Sequence, residues 1–195
     1  STAVAGMMTI MNGDDRYYNN VFVTRKRTDT AADGAGNDTA DPRTDMGLAV
    51  YDAFPRDCDP WHPVSKTGPG RYNEQRLPVR IASNLFLNGA TPCKNGTGTV
   101  VNEDVDPAIE LETDGDAVVL HFTVTGDFHQ VQCNLIGSET LGEAFQPEAR
   151  FESPDGTDIL LNRDYAGQAR ADAPLAGPFE LRDTGRQRIP VWPKR

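Results

Sequence analysis

The sequence predicts an all-β fold, on three observations. Short apolar runs recur along all 195 residues, and 18 Gly and 14 Pro punctuate the spaces between them. The spacing i, i+3, i+4, i+7 of an amphipathic helix has only weak examples, the clearest near residues 138–145. The predicted strands are, in chain order, Met7–Met11, Tyr17–Val23, Leu48–Tyr51, Val79–Ile81, Asn84–Leu87, Thr99–Val101, Ile109–Glu112, Ala117–Val124, Ala149–Phe151, Ile159–Leu161 and Ile189–Trp192.

Two of the early strands share a pattern. The residues Asn19-Asn-Val-Phe-Val23 resemble Ser83-Asn-Leu-Phe-Leu87, because each places Asn directly before an apolar-Phe-apolar run. Asn tolerates the left-handed backbone conformation better than most residues, so it suits a sharp bend before a buried strand. This pattern predicts the corner of a parallel β-solenoid, in which Asn side chains bond to one another along the stack. Two copies do not make a stable array, so most of such a solenoid is expected outside these residues.

The clearest hairpin lies in the second half, in the segment AIELETDGDAVVLHFTV. Asp114-Gly115 separates two alternating runs and is expected to form a type I′ turn. On the second strand, residues 118, 120, 122 and 124 share one face, and His121 falls on the other. We therefore interpret His121 as a half-exposed sheet residue rather than a ligand or a base. A second turn is predicted at Pro154–Thr157, and Trp192 is expected to close the core.

Two segments are expected to be irregular. Residues 28–44 contain Asp, Gly, Ala and Thr and no large apolar side chain, so they cannot bury enough surface to order themselves. Residues 54–75 carry several Pro and Gly around DPWHP and TGPG and are expected to run over the surface. Neither segment indicates a linker between independent domains.

The charge excludes several classes of protein. The formal net charge is −10, which argues against nucleic-acid binding, since binders of nucleic acid cluster Lys and Arg. No apolar run approaches the roughly 20 residues that cross a bilayer, so no membrane partner is expected. An acidic surface of this kind is compatible with neutral ligands such as sugars.

No metal or cofactor is expected. Cys58, Cys93 and Cys133 include no C-x-x-C pair, which makes a zinc site improbable and favours reduced thiols in a cytoplasmic protein. The sequence has neither a phosphate-binding Walker pattern nor a dinucleotide fingerprint, and G-x-S-x-G is absent. The Asp-rich loop also lacks the spacing of an EF-hand.

Several segments, taken in order, resemble one family of enzymes. They are GDDRYYNNVFV (13–23), GLAVYD (47–52), LPVRIASNLFLNGATPCK (77–94), FESPDGTDILLNRDYAGQARADAPLAGPF (151–179) and IPVWP (189–193). The set is similar to the end of right-handed β-helix glycoside hydrolases, and in particular to the β-xylosidases of glycoside hydrolase family 120. The resemblance implies the last rungs of a right-handed parallel β-helix in residues 1–100, followed by an antiparallel, β-sandwich-like cap in residues 101–195.

The resemblance also implies a function, that of a retaining exo-glycosidase that removes xylose from xylo-oligosaccharides. That reaction needs two carboxyl groups about 5–5.5 Å apart. Asp14 and Asp15 are adjacent on a predicted strand and would point to opposite faces, so they cannot form this pair. We expect the catalytic carboxylates upstream of Ser1, in the rest of a longer β-helix chain. This chain alone is then expected to be inactive, and no catalytic residue is assigned within it.

Five residues are candidates for contact with the substrate. Asp14, Asp15, Arg16 and Tyr17 would form a rim in which a carboxylate accepts sugar hydroxyls, Arg16 orients it and the tyrosine lies against a sugar ring. The alternative is an ordinary turn, with Arg16 paired to one Asp and the tyrosines divided between core and surface. Trp61, between two prolines, is either a stacking platform or a plug that holds its loop on the body.

Two other classes of function stay open at this point. The chain is compatible with a non-catalytic carbohydrate-binding β-sandwich, and with a structural capping or oligomerisation module. A homo-oligomer is compatible with each of these functions.

Overall fold

The computed structural model describes residues 13–24, 47–56, 76–145 and 147–193. The predicted strand Met7–Met11, the irregular segment 28–44, most of 54–75 and the candidate Trp61 lie outside these ranges. The described residues form an all-β structure with little helix, as predicted. Its strands are β1 (Asp15–Tyr18), β2 (Val21–Val23), β3 (Val79–Ala82), β4 (Leu85–Leu87), β5 (Val100–Asn102), β6 (Glu110–Asp114), β7 (Ala117–Val124), β8 (Glu143–Ala144), β9 (Ala149–Arg150) and β10 (Gly185–Trp192). The helical turns are 3-10 helices at Ala49–Tyr51 and Gly126–His129 and one α-helix, α1 (Ser138–Leu141).

Strands β1 to β5 stack in parallel. β1 pairs with β3, and β2 pairs with β4, which pairs in turn with β5. The register places Val21 beside Leu85 and Leu85 beside Val100, so equivalent residues lie directly above one another. The same alignment puts Phe22 beside Phe86, with their rings stacked at 4.9 Å.

A left-handed residue precedes each strand of the stack β2-β4-β5. Asn19, Ser83 and Gly98 have φ values of 57°, 56° and 60° and occupy equivalent positions two residues before their strands. In the first two corners the residue after the left-handed one is Asn, namely Asn20 and Asn84. The side-chain amide of Asn20 donates a hydrogen bond to the side-chain oxygen of Asn84. The predicted bonding between the Asn side chains is confirmed. The predicted left-handed bend precedes both strands, but it lies at Asn only in the first copy and at Ser83 in the second.

Strands β6, β7 and β10 form an antiparallel sheet in the order β10-β7-β6. Asp114 pairs with Ala117, so the central residues of the turn are Gly115 and Asp116, one position later than predicted. Gly115 has a positive φ of 61° but Asp116 does not, so the prediction of a type I′ turn is wrong. A glycine at the first central position is instead what a type II′ turn requires.

One core joins the parallel stack to the antiparallel sheet. Leu85 and Leu87 of β4 pack with Phe122 and Val124 of β7 and with Phe179 of the segment that precedes β10. On the other side of the stack a second cluster contains Val79, Ile81 and Phe86, against which Tyr17 and Tyr51 are packed. Both faces of β4 are therefore buried, which explains its unbroken apolar sequence.

Three sequence predictions about strands and core are wrong. Leu48–Tyr51 is not a strand, because only Leu48 is buried and the backbone then closes a 3-10 turn over Ala49–Tyr51. The segment 159–161 makes one isolated bridge, between Leu160 and Gly137, and its leucines are exposed. Trp192 is 60% exposed, because β10 alternates and turns Ile189 and Val191 toward the core, leaving Trp192 on the outer face.

Candidate functional site

Asp14 and Arg16, two of the predicted rim residues, form an internal clamp. The Arg16 guanidinium lies 3.0 Å from Asp14 Oδ1, and its side chain is only 6% exposed. Asp14 Oδ2 accepts a hydrogen bond of 2.8 Å from the backbone N–H of Phe145. The Arg80 guanidinium of the neighbouring strand β3 lies 3.7 Å from the same carboxylate. Asp14 is thus occupied by structural partners on both of its oxygens.

Arg16 connects β1 to the segment around α1. Its Nε donates to the carbonyl of Leu141 at 2.6 Å, and one terminal nitrogen donates to the carbonyl of Glu143 at 2.6 Å. The guanidinium also lies over the ring of Phe151, 4.5 Å from its centroid. This set of contacts matches the alternative in which Arg16 is paired with an Asp of the turn.

Asp15 faces different partners from Asp14. Its carboxylate lies close enough to Tyr51 to affect the pKa of that phenol, and the hydroxyl of Tyr51 lies 2.8 Å from the hydroxyl of Tyr17. The pKa of Tyr51 is raised, chiefly because of the hydrogen bond to Tyr17, with burial and the Asp15 carboxylate adding to the effect. Asp15, Tyr51 and Tyr17 therefore form a half-buried cluster, in which the raised pKa keeps the phenol of Tyr51 protonated at neutral pH.

Tyr18 lies apart from the Asp15–Tyr51–Tyr17 cluster and lines a separate cleft of about 490 Å³. The cleft lies between the corner at residues 18–21 and the segments 134–136, 161–163 and 170–178. Its side chains include three asparagines and two arginines among apolar groups. Burial raises the pKa of Tyr18, against the opposing effect of Arg80 and Arg16.

The structure thus separates the residues that the sequence grouped. Asp14 and Arg16 lie on one side of β1 in the clamp, and Asp15 and Tyr17 lie on the other with Tyr51. Trp61 is outside the described residues. No sequence pattern indicates a role for Tyr51 or for the arginines of the cleft. Tyr51 lies within GLAVYD, but nothing in that motif indicates a contact with Tyr17.

His121 and two of the cysteines occupy structural positions. His121 lies on the outer face of β7, where its Nε2 is 2.7 Å from a carboxylate oxygen of Glu112. Cys93 and Cys133 are buried and free, and burial raises the pKa of Cys133 to about 11. Among the described residues, no group of three or more His, Cys, Asp or Glu is placed to hold a metal ion. Within the same ranges, no helix is long and apolar enough to cross a membrane.

Comparison with known proteins gives one structural relationship. No protein-family model matches the chain, and no curated protein matches it. A solved structure described as the complex of XylC with xylose is similar, with a TM-score of 0.68 and 26% sequence identity. The match covers 92% of this chain and 26% of XylC, so the chain spans about a quarter of the length of that protein. Nearly the whole chain therefore shares its fold with a part of XylC.

Proposed function

We propose that the chain is part of a retaining exo-glycosidase that acts on xylose-containing oligosaccharides and resembles the β-xylosidases of glycoside hydrolase family 120. The observation that carries the proposal is the similarity to XylC, which was solved with xylose and is matched over 92% of this chain. The ordered sequence motifs resemble the same kind of enzyme.

The proposed architecture is the end of a right-handed parallel β-helix, in residues 1–100, closed by an antiparallel cap in residues 101–195. Two features support it. The described parallel pairings join strands between Asp15 and Asn102, whereas the described antiparallel strand pairs all lie between Glu110 and Trp192. In addition, the left-handed corner recurs before β2, β4 and β5, and an Asn–Asn bond joins the first two of these corners.

In this proposal Asp15 is the carboxylate of the rim that contacts the sugar. Asp14 is less suited to this role, because Arg16, Arg80 and a backbone N–H already occupy its oxygens. Asp15 is half-buried beside the phenol of Tyr51, which leaves its carboxyl oxygens able to accept hydrogen bonds from sugar hydroxyls. Tyr17 contributes indirectly, by fixing the hydroxyl of Tyr51.

The two catalytic carboxyl groups are proposed to lie in another part of a longer β-helix chain. A retaining mechanism needs them about 5–5.5 Å apart, and Asp14 and Asp15 have separate sets of partners on opposite sides of β1. The 195 residues would then supply a wall of the sugar site and the cap, while the nucleophile and the acid/base come from elsewhere.

Hydrolysis of an aryl β-xyloside tests this proposal. The longer protein should be active and the 195-residue chain inactive. In the longer protein, Asp15→Asn should raise KM for xylobiose or lower kcat by about tenfold. A change of this size corresponds to the loss of about one hydrogen bond to a charged group. Activity in the isolated chain, or an Asp15→Asn enzyme with unchanged constants, would contradict the proposed division of roles.

A carbohydrate-binding module without catalysis is the second candidate. The mixed polar cleft beside Tyr18 favours it, since sugar sites combine an aromatic ring with planar hydrogen-bonding groups. If the longer protein hydrolyses no aryl glycoside while the isolated chain still binds xylo-oligosaccharides, this second function replaces the first.

A further inference from the structure

The cleft beside Tyr18 has an unusual charge for this protein. The chain carries 29 Asp and Glu against 19 Lys and Arg, yet none of the residues that line the cleft is acidic. Arg163 and Arg170 both line it, together with Tyr18, Asn19, Asn20 and Asn134. Its volume of about 490 Å³ lies within the range of small-molecule sites, about 300–1,000 Å³.

The two arginines differ in how their charge is balanced. Arg170 donates to the carbonyls of Leu175 and Gly177, and it lies 3.7 Å from the carboxylate of Glu180. Arg163 donates one hydrogen bond, of 2.9 Å, to the carbonyl of Gly167 and forms no ion pair with any described residue. Arg163 therefore brings a positive charge to the cleft that its described neighbours do not neutralise.

Other groups in the cleft also keep hydrogen-bonding capacity. The side-chain amide N–H of Asn19 is bound to the carbonyl of Asn134, and that of Asn20 to Asn84. The side chain of Asn134 and the hydroxyl of Tyr18, by contrast, make no hydrogen bond to any described residue. A ring with several hydroxyls could therefore bind between Tyr18 and Asn134 without displacing an existing bond.

We infer that this cleft binds an acidic sugar unit, a uronic acid, with its carboxylate on Arg163 and its ring between Tyr18 and Asn134. A planar guanidinium with free N–H groups matches a carboxylate in geometry and charge. The absence of acidic side chains from the lining removes the repulsion that an anion meets elsewhere on this protein. The binding does not depend on the glycosidase function proposed above.

Calorimetric titration of the 195-residue chain tests the inference with three probes. Glucuronate offers the ring and the charge, xylose the ring without the charge, and acetate the charge without the ring. Glucuronate should bind about tenfold more tightly than either other probe, which corresponds to one charge-assisted hydrogen-bond pair, and the difference should shrink as salt is added. Equal affinity for glucuronate and xylose, equal affinity for glucuronate and acetate, or no binding of glucuronate would overturn it.

Variants then locate the binding. Arg163→Gln should reduce the affinity for glucuronate to that for xylose. Arg188→Gln is the matched control, because Arg188 is exposed on β10 and paired with Asp114, away from the cleft, and it should change nothing. Tyr18→Phe, which keeps the ring, should weaken glucuronate and xylose alike. Unchanged glucuronate binding in a folded Arg163→Gln chain would refute the site. A longer protein that hydrolyses no aryl β-xyloside, while the chain still passes these binding tests, would refute only the glycosidase proposal.

Discussion

Asn84 Oδ1 accepts two hydrogen bonds from Asn20, one of 2.8 Å from the backbone N–H and one of 3.1 Å from the side-chain amide. Its own amide nitrogen donates to the carbonyl of Tyr17 at 2.8 Å. Asn84 is fully buried, and these three bonds satisfy both lone pairs of its side-chain oxygen and one of its two amide N–H groups. A single side chain thus holds the corners of two neighbouring parallel strands in register.

Replacing Asn84 by Ala should lower the free energy of unfolding by about 2–3 kcal/mol, because two donors and one carbonyl lose their buried partner. Urea denaturation followed by circular dichroism measures this change. Asn162→Ala is the control, since Asn162 is exposed, and it should change stability by less than about 0.5 kcal/mol. Equal effects of the two substitutions would show that the Asn20–Asn84 bonds do not stabilise the corner.

The sequence revealed this corner only where Asn is present. The third parallel strand has Gly98 at the left-handed position and Thr99 at the position of Asn84, and neither residue resembles the first two copies. The hydroxyl of Thr99 is buried without a hydrogen-bond partner among the described residues. The stack continues because the backbone conformation and the apolar strand are kept, and a search for Asn cannot detect those two properties.

The sequence indicates fewer of the contacts around the candidate site than of the strands. Strand periodicity correctly divided Asp14 from Asp15, since alternate residues of a strand face opposite sides. It could not show that Arg16 binds the carbonyls of Leu141 and Glu143, because contacts between residues so distant in sequence arise only from the packed fold. The sequence alone therefore cannot distinguish a sugar-binding rim from a cluster in which Asp14 and Arg16 form a structural clamp.

Arg16→Met should destabilise the protein by about 3 kcal/mol, because it keeps the apolar stem but leaves a partly buried Asp14 and two carbonyls without their donor. Hydrogen exchange should accelerate at Glu143 to Phe145, next to the carbonyls that Arg16 holds. Arg186→Met removes an exposed pair, the one with Glu110, and should cost less than about 1 kcal/mol. If both variants lose the same stability, Arg16 is not a clamp.

Gly47 lies where the parallel stack allows no side chain. Its φ is +132°, and a Cβ there would meet the carbonyl oxygen of Thr91 at 2.2 Å. Gly47→Ala should therefore cost about 3 kcal/mol or more, from strain and overlap together. Gly89→Ala is the matched control, since Gly89 also has a positive φ, of +84°, but nothing within 4 Å of the added carbon. Gly89→Ala should lower the free energy of unfolding by only about 1 kcal/mol. If thermal unfolding shows that the two variants lose equal stability, the steric contact with Thr91 is excluded.

The hydrogen bond between Tyr17 and Tyr51 should make stability depend on alkaline pH. The pKa of Tyr51 is raised above its ordinary value of 10.0, first by the bond to Tyr17, so the folded state retains this proton where the unfolded state loses it. The stabilising contribution is complete below the ordinary tyrosine pKa, and it is lost as the pH rises above that value toward the folded pKa. Tyr17→Phe removes the bond, so the phenolate of Tyr51 should then form at a lower pH. An ultraviolet absorbance titration measures this change, and the signal that is lost in Tyr51→Phe identifies the contribution of Tyr51. Stability that falls equally with alkaline pH in the wild type and in Tyr51→Phe would show that this group does not cause the dependence.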